Sequence, residues 1–359
     1  MERDCFSSDL RRSSHLAVLG STHRNGRGRV VMTSQIRDHG YAVPLLLVAI
    51  LFASACTSST DTSATTDSTL STTTTAVPDG VFVGVDGVAT DITDISRIVS
   101  LTGDITEVIF ELGLGGNVVA VDITTTYPPE ANDIKRAGNN VGFAQALAAE
   151  SVLRFEPTLV IADESVQPTE TIDQLRSAGI PVVVLKYQTT FEGVETKILQ
   201  IAEILGVEQE GDVLAERVMA EIADAQARAA GASEQLRIAY LYTRGPTVIL
   251  LFGEGIPTQA MLEGAGGIDV GAAIGEGAIP VTPEALIAAR PDVIVVPQSG
   301  IDALGGFDAL LDIPGVADTP AGQNRRFLAY DEAYFFNLGP RAGLALGDFV
   351  SDLYPELAD

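Results

Sequence analysis

The sequence predicts an α/β protein built as two similar α/β lobes joined by one long helix, with a ligand cleft between the lobes. Three observations carry this. Short apolar runs alternate with helical patterns over residues 95–193, and the alternation restarts over residues 234–359. Between them, residues 194–233 are dominated by strong helix formers, as in "AERVMAEIADAQARAA", with Gly206 as a candidate break. Finally, one phrase is used twice. "AESVLRFEPTLVIAD" (149–163) and "PEALIAARPDVIVVP" (283–297) both run Glu, six residues, Pro, one residue, then an apolar run. Glu150 and Pro157 recur as Glu284 and Pro291, each shifted by 134 positions.

The elements follow in order. "RIVSL" reads as a strand beginning a folded body near Ile98. "DITEVIFELGLG" reads as a helix, because Ile105, Val108, Ile109 and Leu112 fall at i, i+3, i+4 and i+7 and Gly113 ends it. "NVVAVD", "TLVIAD" and "PVVVLK" are strands, with "AAESVLRF" and "ETIDQLRSAG" as helices before the second and third. Strands this uniformly apolar are buried on both faces, as in parallel α/β sheets. In the second half "RIAYLYT", "DVIVVP" and "RRFLAYD" are strands, and "TQAMLEGAGG", "PEALIAA" and "AGLALGDFVSDLYPEL" are helices. "TEVIFELGLGG" (106–116) also resembles "TQAMLEGAGG" (258–267), so the second half echoes the first. Ligands on open α/β sheets bind outside the carboxyl ends of the strands, which makes the gap between two such lobes the expected site.

The N-terminus reads as targeting rather than fold. "VPLLLVAILFASAC" is an apolar run of signal-peptide length ending in small residues before Cys56. "ASAC" is similar to a bacterial lipobox, whose cysteine is acylated and becomes the new N-terminus. Residues 1–55 are therefore expected to be a signal segment, with Met32 as the expected start, and Cys56 the lipidation site. Residues 56–94, Ser/Thr-rich, are expected to form a disordered tether.

The formal net charge is −26; residues 1–55 hold four acidic and seven basic residues, so removing them leaves 44 against 15, or −29. Such a chain disfavours nucleic acid or anionic lipid surfaces as partners. His15, His23 and His39 all lie before Cys56. A chain processed at Cys56 has no histidine, which excludes a Ser-His-Asp triad and any His metal ligand. The only cysteines are Cys5 and Cys56, so no internal disulfide forms after processing.

With lipobox, tether, two lobes and a connecting helix in place, the sequence resembles the substrate-binding lipoproteins of iron-complex and vitamin B12 ABC importers. Within that class it is most similar to bacterial hemin-binding proteins. "RIVSLTGDITEVIFELGLGGNVVAVDITTTYPPEA" resembles their opening strand–helix–strand, and "NNVGFAQALAAESVL" resembles their "VGY.R.L.AEG.L" segment. "IPGVADTPAGQNRRFLAYDEAYFFNLGPRAGLAL" resembles their closing segment. The resemblance implies a helical-backbone periplasmic-binding-protein fold, a location outside the cytoplasm on a lipid anchor, and an ABC permease dimer with its ATPase as partner. It implies a monomer that carries hemin or another iron complex or tetrapyrrole as transported ligand, without a catalytic cofactor. It also implies that Glu150 and Glu284, one per lobe, dock onto permease arginines. A two-point carboxylate arrangement suits a two-fold partner, and each Glu sits where a helix dipole favours it. A helix-capping role without a partner is the alternative for both.

Hemin requires an axial ligand, apolar walls and donors for its carboxylates. In the hemin-binding relatives the resemblance implies a Tyr ligand at "VGY.R", supported by the Arg two residues on. This chain has Phe143 and Gln145 there, and Arg244 where some relatives add a His. Three readings stay open. Another tyrosine ligates iron, with Tyr127, Tyr242 and Tyr334 as candidates and Tyr127 or Tyr242 preferred. Alternatively, the macrocycle is held without ligation by Phe143, stacking and Arg244. Or the cargo is a siderophore, cobalamin or another tetrapyrrole. Tyr240 and Tyr330 read as core, and Arg341 either pairs with Asp331 or faces the cleft.

Two other classes compete. A glycosidase using Glu150 and Glu284 as its carboxylate pair requires both to converge on one bond. An adhesion or signalling module that has lost transport requires the absence of a permease partner. The expectation here is a binding protein and not an enzyme.

Overall fold

The computed structural model describes residues 80–357, which lie within one compact unit. Cys56 and the stretch up to residue 79 lie outside the described residues. The first elements are β1 (Gly80–Val83) and β2 (Ala89–Ile92), an antiparallel hairpin. The N-terminal lobe follows as β3 (Ile98–Ser100), α1 (Gly103–Glu111), β4 (Val118–Val121), α2 (Pro129–Arg136), α3 (Ala149–Leu153), β5 (Leu159–Asp163), α4 (Glu170–Ser177) and β6 (Val182–Leu185). Its sheet is fully parallel, in the order β4-β3-β5-β6.

A tether reaching residue 94 and a body starting near Ile98 are both corrected by the hairpin. Phe82, Ile92 and Ile95 are buried in the lobe's core. Val85 N donates to Val184 O at 2.8 Å and Thr90 Oγ1 to Val182 O at 3.0 Å. The hairpin therefore lies along β6, the last strand of the sheet, whose free edge is otherwise open to unwanted pairing.

The connection is two helices, α5 (Phe191–Leu205) and α6 (Glu208–Ala229). The break falls at Gly206, where φ is +67°, a conformation that glycine adopts without strain. Thr190 caps α5 by accepting from Gly193 N. At 22 residues, α6 is the long connecting helix. Its buried stripe includes Leu214, Val218, Ile222 and Ala225.

The C-terminal lobe contains β7 (Arg237–Thr243), β8 (Ile249–Phe252), α7 (Pro257–Gly264), β9 (Ile268–Asp269), β10 (Ala278–Pro280), α8 (Pro283–Ala289), β11 (Val293–Pro297) and α9 (Gln298–Leu304). It ends with α10 (Pro320–Asn324), β12 (Phe327–Tyr330), α11 (Glu332–Phe335) and α12 (Ala342–Leu353). The strands β9, β7, β11 and β12 are parallel neighbours in that order, repeating the order of the first lobe. Two added strands break the likeness: β8 pairs antiparallel with β7, and β10 pairs antiparallel with β8.

The repeated phrase is thus a repeated structure. β5 and β11 are offset by 134 residues at both ends. Glu156 and Arg290, also 134 apart, each take a left-handed conformation (φ 47° and 49°) before the repeated proline. Proline disfavours a right-handed helical residue before it, so the helix stops at the same place in each copy.

Helix α12 packs on α6 at close range. A Cβ at Gly343 would lie 2.4 Å from Glu221 Cβ and 3.0 Å from the backbone. The glycine there is required by helix–helix approach.

Candidate functional site

A cavity of about 780 Å³ lies between the lobes, within the range of small-molecule sites. Its lining comes from residues at and just past the carboxyl ends of strands: Thr102 after β3, Asp122 after β4, Asp163 ending β5, Tyr187 after β6, Arg244 after β7 and Asp331 after β12. This is where parallel α/β sheets offer side chains to ligands.

The two walls differ. On the C-terminal side the wall is aromatic. Phe252 stacks on Tyr240 (centroids 5.2 Å) and on Tyr242 (5.0 Å), and Phe336 tilts against it (5.8 Å). Phe252 comes from the added strand β8, so that strand builds this wall. Arg244 Nε donates to the Tyr242 hydroxyl, and its guanidinium lies 3.5 Å from Glu332 Oε1. Glu332 Oε2 in turn accepts from Ser299 Oγ at 2.6 Å. Tyr240 is 1% exposed and borders the cavity, and burial pushes its phenol well up.

On the N-terminal side the wall is polar and acidic. Asp122 accepts from Thr124 and Thr125, and Asp163 accepts from Ser165. Burial pushes both carboxyls up to about 6. For Asp163 the neighbouring Asp104 charge adds to that rise, and Lys197 opposes it. Asp104 pairs with Lys197, a lysine 3% exposed that also donates to Leu338 O at 3.4 Å. Phe143, 44% exposed, gives this wall an apolar element, with Gln145 beside it.

Phe143, Gln145, Tyr242 and Arg244 line the cleft. Tyr127 and Tyr334 do not belong to the lining. They sandwich Arg341, whose guanidinium carbon is 3.8 Å and 5.1 Å from their ring centroids. Tyr334 also donates to Asp348 Oδ2 at 2.9 Å. Arg341 pairs with neither Asp331 nor the cleft, which corrects both options considered for it. It makes a two-pronged contact with Glu107 on α1, at 2.7 and 3.0 Å. Burial pushes the Glu107 carboxyl up, and Arg341 opposes that rise. This pair and the Lys197–Asp104 contact tie α1 of the first lobe to the chain after it. Tyr330 is half-buried, with its hydroxyl donating to Asp352 at 2.6 Å.

Glu150 and Glu284 are exposed in the first turns of α3 and α8 and are not in the cleft lining. Neither carboxylate has a hydrogen bond or ion pair among the described residues. That disposition does not suit a catalytic pair acting on one bond in the cleft.

The acidic residues Asp104, Asp122 and Asp163, with Thr102, were not anticipated from the sequence. The available signal was positional, since each follows or ends an apolar strand. Among the described residues no group of His, Cys, Asp and Glu is arranged to hold a metal ion by itself.

This fold and cleft define a solute-binding protein. The chain belongs to the periplasmic binding protein family, whose pattern matches residues 98–334. Such proteins bind and hand over solutes outside the cytoplasm. Among solved structures it is similar to the periplasmic heme-binding protein RhuT from Roseiflexus sp. RS-1 in apo form. The identity is 42%, the match covers 74% of this chain and 100% of that one, and the TM-score is 0.70. It is 28% identical over 264 residues to YvrC of Bacillus subtilis, an ABC transporter substrate-binding lipoprotein, covering 72% of this chain and 80% of that one. It is 26% identical over 202 residues to a vitamin B12-binding protein of Vibrio parahaemolyticus, covering 56% and 70%.

Proposed function

We propose that this protein captures hemin or a closely related ferric tetrapyrrole in the interlobe cleft and delivers it to the permease of an ABC importer. The observation that carries this is Tyr242, set in an aromatic wall with its hydroxyl receiving a hydrogen bond from Arg244. Tyrosine is an established axial ligand for heme iron. An iron-bound phenol oxygen bears negative charge, and a guanidinium donating to it favours that form. Tyr242 and Phe336, backed by the buried Tyr240 and Phe252, supply the flat apolar surface a macrocycle needs, and Phe143 adds a ring from the other lobe. The likeness to RhuT supports the ligand class.

Glu150 and Glu284, exposed and without a partner among the described residues, support docking onto a two-fold permease with its ATPase, one carboxylate from each lobe. The lipoprotein name of YvrC supports anchoring through Cys56.

The test is titration of the purified protein with hemin, following the Soret band. A saturable shift is expected, and Tyr242→Phe should weaken binding at least about tenfold, or 1.4 kcal/mol. No spectral change, together with binding of cyanocobalamin or a ferric siderophore, refutes the ligand assignment. Cobalamin is the second reading because of the vitamin B12-binding relative.

A further inference from the structure

Among the residues that line the cleft, Arg244 is the one cation, and its side chain is 54% exposed. A long, half-exposed arginine carries much rotamer freedom, and in a cleft it can turn to solvent or to a carboxylate of the cargo. Here it does neither. Its guanidinium is engaged at both ends: Nε donates to the Tyr242 hydroxyl, and Nη2 donates to Glu332 Oε1 at 3.5 Å. The guanidinium carbon lies 5.4 Å from the centre of the Tyr242 ring.

Glu332 is itself held. Its other oxygen, Oε2, accepts from Ser299 Oγ at 2.6 Å. It is the first residue of α11, whose N-terminus Asp331 caps by accepting from Tyr334 N at 3.1 Å. Glu332 is 88 residues from Arg244 and 33 from Ser299, so no local turn brings the three together. The sheet does. Strands β7, β11 and β12 are parallel neighbours, and Arg244, Ser299 and Glu332 each follow the carboxyl end of one of them. The result is one run of hydrogen bonds from Ser299 through Glu332 and Arg244 to the phenol of Tyr242.

An exposed ion pair contributes little to stability. What this one fixes is direction. We propose that Glu332 is a positioning residue for iron ligation by Tyr242: anchored by Ser299, it holds one arm of Arg244 so that Nε stays aimed at the phenol oxygen. The inference rests on the tetrapyrrole reading above and adds the group that keeps Arg244 on the tyrosine rather than on a carboxylate of the cargo. When Tyr242 ligates ferric iron, the phenol proton leaves to solvent and the oxygen gives an electron pair to the metal. A guanidinium donor held against that oxygen stabilises the charge it then bears.

The experiment titrates hemin into the unaltered protein, Glu332→Ala, Glu332→Gln, Tyr242→Phe and the double variant Tyr242→Phe with Glu332→Ala. Affinity is read from the Soret band, and ligation from the phenolate-to-iron charge-transfer band of the ferric complex. Glu332→Ala should weaken hemin binding about two- to fivefold, the reach of one exposed ion pair. It should also move the charge-transfer band to longer wavelength, because a phenolate with one donor fewer gives up charge more readily. Glu332→Gln keeps an acceptor for the guanidinium and should restore most of both. In the Tyr242→Phe background the alanine change should have no further effect on affinity, which a general loss of packing would not reproduce. The inference is overturned if Glu332→Ala leaves affinity and band unaltered, or if Glu332→Gln behaves like Glu332→Ala. It is equally overturned if Glu332→Ala weakens the Tyr242→Phe variant as much as the unaltered protein. An effect of Tyr242→Phe with none from Glu332→Ala removes this inference alone. Hemin binding that shows no charge-transfer band, or that Tyr242→Phe does not weaken, removes Tyr242 as the ligand, and this inference falls with it.

Discussion

Replacing Arg341 with methionine tests how the two lobes are held. Arg341 contacts Glu107 with two hydrogen bonds of 2.7 and 3.0 Å, and the two side chains are only 18% and 4% exposed. Removing one partner of a buried pair costs about 3–5 kcal/mol, because the other charge is stranded. Glu107 limits that cost by taking up a proton. Burial already raises its carboxyl; measured from the unfolded chain, where the group titrates near its ordinary 4.5, holding it protonated at pH 7 costs about 3.4 kcal/mol at 1.36 kcal/mol per pH unit. Loss of stacking on Tyr127 and Tyr334 adds about 0.5–1 kcal/mol each. The expected loss at pH 7 is therefore about 4–5 kcal/mol, read from the urea midpoint at constant slope. Because the folded carboxyl of the variant titrates above its unfolded value, the penalty is largest at neutral pH. It shrinks as pH falls and vanishes only well below 4.5, where Glu107 is neutral in both states. Adding Glu107→Gln should restore most of the loss. A destabilisation below 1 kcal/mol at pH 7, or one independent of pH, refutes this account.

Other outcomes follow from the same contacts. Gly343→Ala forces a methyl to within 2.4 Å of Glu221 Cβ and should cost about 1–3 kcal/mol in urea unfolding. Asp122→Asn should stabilise the ligand-free protein by about 1–3 kcal/mol at pH 7. The folded carboxyl, pushed up to about 6, contributes stability that is full below about 4 and lost as pH rises through 6, so the gain should vanish in acid. Glu150→Arg combined with Glu284→Arg should leave hemin binding intact. It should abolish stimulation of the importer's ATPase in reconstituted membranes, and unaltered stimulation would remove the docking assignment.

The strands and most helices were legible because parallel strands buried on both faces are uniformly apolar, as in "TLVIAD" and "DVIVVP". Helix α1 was legible because its four spaced aliphatics point into one core. The β1–β2 hairpin was not. It buries little beyond Phe82, Thr90 and Ile92, and follows a long polar stretch that sets the wrong expectation. Tyr242 and Arg244 were legible because they sit at a strand end two residues apart. Tyr127 and Tyr334 had the same local look. Their actual partner is Arg341, far from Tyr127 in sequence, and a stacking contact of that kind leaves no local pattern. The Glu107–Arg341 pair was invisible for the same reason.

The added strand β8 has a consequence for delivery. Under the proposed docking, the two carboxylates that face the permease are alike, so the protein can approach a two-fold partner in either of two orientations half a turn apart. The cleft is not alike on its two sides, because Phe252 builds an aromatic wall on one lobe only. The two approaches then put the aromatic wall on opposite sides of the permease's two-fold axis, and the translocation path must accept both.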